Sequence, residues 1–187
     1  MKGIEGVKYY SPIEEKINII SHAIGLILSV IASVFLFIYA NRYGEVWHIV
    51  SFSIFGGSLI ILYSASTFYH SAKAAELRGR LKVFDHASIY ILIAGTYTPF
   101  ALVTLHGSIG WVIFGIIWGL ALTGIILKLF FTGKYQLIST LMYVLMGWVI
   151  IFAIKPLMNS LPLDGFIWLL AGGISYTIGA ILYSIKK

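Results

Sequence analysis

The chain has 187 residues; 59% are hydrophobic, 11% are Asp, Glu, Lys or Arg, none is cysteine, and the formal net charge is +6. Soluble domains carry about 25% charged residues, so at a mean hydropathy of +0.94 a soluble globular fold is excluded and lipid becomes the solvent for most of the surface. The lack of cysteine rules out disulfide frameworks, Cys-based zinc sites and thiol nucleophiles. The positive charge of so apolar a chain points to membrane-flanking loops and away from nucleic acid.

A membrane-spanning helix needs about 20 apolar residues. Six stretches reach that length, and they predict helices at residues 17–39, 49–70, 83–105, 111–131, 137–154 and 166–185. Alternating strand patterns are absent, and in lipid the backbone must then satisfy itself as helix. The expectation is an all-α, polytopic bundle forming one integral membrane domain over residues 1–187. The first 16 residues are mixed and charged, with no short apolar core and cleavage site.

Taken in order, the first helix is preceded by Glu15 and carries Asn18, Ser21 and His22; Glu15, Asn18 and His22 stand at i, i+3 and i+7 and share a face. The second carries Ser66 and His70, four apart and on one face. The third carries Asp85, the only acid within any of the six stretches, and His86 beside it. Adjacent residues point about 100° apart on a helix, so Asp85 is expected to face inward and His86 to have a weaker role. Pro99 removes a backbone donor from the same helix and predicts a kink. On the fourth, Gly115, Gly119 and Thr123 form a small-residue stripe, read as internal helix packing in preference to a dimer interface.

Basic residues set the orientation. With the N-terminus inside, the inner segments hold Lys2, Lys8, Lys16, Lys73, Arg78, Arg80, Lys82, Lys128, Lys134, Lys186 and Lys187, and the outer loops only Arg42 and Lys155. That asymmetry is a positive-inside signal. Trp47, Trp111 and Trp168 then fall near outer helix ends, as an aromatic belt. His48 and His106 fall at outer edges and read as interfacial residues, whereas Glu15, His22, Ser66, His70 and Asp85 converge on one inner layer.

Ionisable groups inside a membrane are costly and mark function by default. Histidines with one carboxylate and no cysteine suit a zinc or similar site with an open water position. The same residues could equally serve a proton or ion relay, or a hydrogen-bonded network locking three helices together. Spacing leaves all three readings open.

In their order, Glu15-x-x-Asn18-x-x-Ser21-His22, Ser66-x-x-x-His70, and Asp85-His86 followed by Gly95-Thr96-Tyr97-Thr98-Pro99 resemble the hemolysin III family, the bacterial branch of the progestin and adipoQ receptor superfamily. The resemblance spans nearly the whole chain. It implies a seven-helix bundle with a cytoplasmic N-terminus and a zinc ion near the inner face. It implies His70 as a zinc ligand, Asp85 holding the zinc-bound water, and Ser66 one turn before the ligand histidine. The family's seventh helix adds a His-x-x-x-His pair, which this sequence lacks; it closes on Lys186-Lys187 just after the sixth predicted helix. A chain without its seventh helix and with an incomplete zinc site is therefore expected, with His22 and His86 as substitutes in the same layer.

Three functions follow from this reading: a pore-forming, cytolytic membrane protein; a zinc-dependent intramembrane hydrolase of a lipid amide or ester, with Asp85 as base and Ser66 beside it; and a lipid-binding, receptor-like protein. Membrane lipids are the expected partners, with a homo-oligomer open and nucleic acid excluded. The expected location is a bacterial plasma membrane.

Overall fold

The computed structural model describes residues 9–131 and 136–185. Among them the chain runs as α1 (Pro12–Tyr43), α2 (Val46–Ser71), α3 (Ala75–Pro99) prolonged by a π-helical stretch (Phe100–Leu105), α4 (Gly107–Phe131), α5 (Gln136–Trp148), a 3₁₀ segment (Val149–Ala153), α6 (Ile154–Ser160) and α7 (Leu163–Ile185). Short irregular stretches join some of these end to end, so the described residues form six helices long and apolar enough to cross a membrane. The expected all-α, polytopic architecture is what is found. Lys2, Lys8, Lys134, Lys186 and Lys187, used above for orientation, lie outside the described residues.

Helix ends differ from the predicted ones for local reasons. α1 starts at Pro12 because Ser11 builds a capping box, its hydroxyl accepting from the Glu14 amide while the Glu14 carboxylate accepts from the Ser11 amide. α3 starts eight residues before the apolar run, at Ala75. That first stretch is charged, but Ala, Glu, Leu, Arg and Lys are strong helix formers, and Arg80 pairs with Glu76 one turn away at 2.6 Å. The fifth span passes residue 154 and reaches Ser160. Pro156 brings no N–H and its ring clashes with the carbonyl four residues back; the 3₁₀ segment just before α6 absorbs that fault.

The core is centred on α3, which packs against α2, α4 and α5. Tyr90, Ala94, Thr98 and Ala101 present a fully buried line along it, facing Ile117 and Ala121 of α4 and Met146 of α5. Tyr97 repairs the break in the fifth span: its hydroxyl donates to the Gly147 carbonyl at 2.8 Å and accepts from the Ile150 amide at 3.1 Å. Gly95 sets the α2–α3 approach, since a Cβ there would stand 2.6 Å from Cβ of Ser58. The Gly115–Gly119 stripe behaves otherwise than expected. A Cβ at either position meets nothing within 4 Å, and the Thr123 hydroxyl bonds only its own helix at Gly119, so the stripe faces away from the bundle.

Candidate functional site

The start of α1, the end of α2 and the start of α3 meet at one end of the bundle, the end expected to face the cytoplasm. Glu15 sits in the first turn of α1, held there by the Ser11 cap, and takes the Tyr10 amide on Oε1 at 3.1 Å. Its Oε2 accepts from His70 Nδ1 at 2.7 Å across the α1–α2 contact. His70 stacks on His22, with ring centroids 5.7 Å apart and planes within 10°. One turn before His70, the Ser66 hydroxyl donates to Oδ1 of Asp85 on α3. Ser66 is buried and Asp85 half-buried. The expected layer of His22, Ser66, His70 and Asp85 is thus brought together, with Glu15 as a direct partner of His70.

Tyr10 closes this layer from the chain's N-terminal side, its ring 5.9 Å from that of His70. Burial, and next the Glu15 carboxylate, push its phenol above the ordinary value, so Tyr10 stays a neutral hydroxyl over the site. His86 serves another neighbour: its carbonyl accepts from the Tyr143 hydroxyl of α5 at 2.9 Å. Ser21 turns its hydroxyl onto its own helix at the Asn18 carbonyl, 3.1 Å away, and is exposed. His48 caps α2, Nδ1 accepting from the Glu45 amide at 3.1 Å. His106 lies in the α3–α4 connection with φ 47° and contacts the Leu102 carbonyl at 3.3 Å. Both of these histidines stand at the opposite end from the site.

Sequence reasoning counted Arg78 only as a loop charge. It is 1% exposed, donates to Glu15, and donates to the carbonyls of Tyr69 and Ala72 at 3.1 and 3.3 Å. Arg78 lies seven residues before Asp85, hence on nearly the same helical face, but only the observed start of α3 at Ala75 puts both on one helix.

The donor types suit zinc in kind. The Nδ1 of His70 is bonded to a carboxylate, a partner commonly seen on the second nitrogen of ligating histidines. They do not suffice in number: among the described residues no three His, Cys, Asp or Glu side chains stand close enough to hold a metal ion.

A family model described as "Haemolysin-III related" matches residues 10–187. The chain belongs to the haemolysin-III family. It is 49% identical to "Hemolysin-3 homolog" of Bacillus subtilis (strain 168), over 93% of this chain and 82% of that protein. It is 48% identical to "Hemolysin-3" of Bacillus cereus, over 93% of this chain and 80% of that one. The human "Monocyte to macrophage differentiation factor" is 26% identical over 91% of this chain and 71% of its own length. No solved structure matches. Family and spans together make the chain a multi-pass membrane protein of the haemolysin-III family.

Proposed function

We propose that the protein acts on membrane lipid at the cytoplasmic face of a cell membrane, hydrolysing an ester or amide at the Ser66–Asp85–His70 layer. The observation that carries this reading is the Ser66–Asp85 hydrogen bond beside a histidine whose ring is fixed by a second carboxylate. A charged pair of this kind is costly in a membrane unless it works or is fully paired.

Asp85 is the base. It takes a proton from the attacking water as the water oxygen bonds to the acyl carbon. It then returns that proton to the departing alcohol or amine as the carbon–oxygen or carbon–nitrogen bond breaks, so one lipid and one water give one acid and one alcohol or amine. Ser66 orients the carboxylate by donating to Oδ1. His70 offers Nε2, and the Tyr10 ring lies 5.9 Å from that of His70. The described donors do not complete a zinc site; zinc held with further donors would supply a Lewis acid, with His70 among its ligands and Asp85 beside its water.

The test is release of free fatty acid from proteoliposomes of mixed bacterial lipid, read by mass spectrometry with zinc supplied. Asp85→Asn should lower release about 10²–10⁴-fold, the usual worth of a general base, with helical content unchanged. Equal release by the folded variant rejects the mechanism.

A second reading, pore formation, has one supporting observation: the printed name of the Bacillus cereus relative, "Hemolysin-3". Among the described residues the charged cluster sits at one end of the bundle, and the buried polar side chains farther along it are hydroxyls such as Ser51, Ser58 and Thr98, not the rings of charge that line an ion pathway. Dye leakage from vesicles that rises with protein density would favour this reading; intact vesicles at every density would remove it.

A further inference from the structure

The reaction proposed above needs neither Arg78 nor the Arg78–Glu15 contact, yet Arg78 is among the most deeply buried large side chains of the described residues. Burying a guanidinium is unfavourable unless its donors are met, and here they are met on two sides. Nη1 donates to the carbonyls of Tyr69, Ala72 and His70 at 3.1, 3.3 and 3.4 Å. These belong to the C-terminal end of α2, where carbonyls find no further helical N–H. Nη2 donates to Oε1 of Glu15, whose Oε2 receives His70 Nδ1. The rings of Tyr9 and Tyr69 cover the guanidinium, their centroids 4.7 and 4.6 Å from Cζ. The Tyr9 hydroxyl is itself tied to the Lys73 carbonyl at 3.2 Å. One side chain therefore grips His70 twice, by its main chain and, through Glu15, by its ring.

We propose that Arg78 is the positioning residue of the site: through Glu15 it fixes the His70 ring with a proton on Nδ1 and leaves Nε2 as the working nitrogen. A carboxylate that takes a guanidinium on one oxygen has only lone pairs to offer on the other, so the 2.7 Å contact requires the proton on the ring. Lysine cannot replace arginine here, because a single ammonium lacks the planar fork that spans backbone and carboxylate and stacks between two rings. The proposal rests on the reading of His70 as a working residue of the site.

The experiment is ¹⁵N NMR of the histidine side chains in the full chain in lipid nanodiscs, at about pH 8, above the ordinary imidazole range. His70 is assigned by the signal lost in His70→Gln, and no substrate or metal is added. The wild type should show His70 protonated at Nδ1. In Glu15→Gln, which is isosteric, the single amide oxygen goes to Arg78 and the amide N–H turns to His70, so the proton should move to Nε2. In Arg78→Lys the two tautomers should become mixed. A merely structural latch would lower thermal stability and leave the His70 tautomer unchanged. Wild-type protonation at Nε2, or an unchanged tautomer in folded Glu15→Gln, overturns the proposal. If Arg78→Lys does not fold, Glu15→Gln decides alone. Absence of lipid hydrolysis together with the expected tautomers would reject the hydrolytic reading and leave the positioning role standing.

Discussion

At the scale of single residues the site is a set of unequal partners. Asp85, expected to face inward, does so against Ser66. Its place as the one acid within the predicted spans made that legible. The Glu15–His70 bond was half legible: the spacing put Glu15 on the face of His22, but no spacing rule pairs a residue of α1 with one 55 positions away on α2. Arg78 was not legible, because charge counting assigns a basic residue near a helix end to water and the burial of its guanidinium arises only from tertiary packing. Arg78→Ala should cost about 3–5 kcal/mol, since it removes a buried guanidinium that ties the partly buried Glu15 carboxylate to several carbonyls; urea or SDS unfolding in micelles measures it. An effect below about 1 kcal/mol, the range of exposed ion pairs, would mean that the cluster is open to water.

At the scale of elements, two contrasts can be tested. Gly95 lies against Ser58, so Gly95→Val forces α2 and α3 apart and should cost about 1–3 kcal/mol, the usual range for overpacking. Gly115→Val and Gly119→Val meet no neighbour in the chain and should leave its intrinsic stability nearly unchanged. Thermal unfolding of the three variants side by side distinguishes the two classes. Tyr97→Phe removes the hydroxyl that serves both Gly147 and Ile150, and should cost about 1–3 kcal/mol by leaving buried backbone groups unpaired. The core runs of the spans were readable because lipid demands long apolar helices. Their ends were not, because capping at Ser11, the charged first turns of α3 and the 3₁₀ repair before α6 are invisible to hydropathy. The outward face of the Gly115 stripe was also unreadable: small residues permit close approach but do not say to what.

At the scale of the whole molecule, the composition sets the architecture. With so few charges, the chain has only its helix ends and loops to give to water, and its ionisable groups within the bilayer gather at one end. The distribution of basic residues in the sequence predicts that this end faces the cytoplasm. Since the chain has no cysteine, single cysteines placed at Lys73 and at Gly44 test the topology directly with a membrane-impermeant thiol reagent in intact cells. Labelling at position 44 and protection at position 73 is the expected result; the reverse would put the site on the outer surface.

The hydrolytic site is tested most directly by comparing fatty acid release by wild type and Asp85→Asn in zinc-supplied proteoliposomes, with the fold of each checked by circular dichroism. Release by the wild type and its loss in the folded variant is the expected result. No release by the wild type, or undiminished release by the variant, would contradict it.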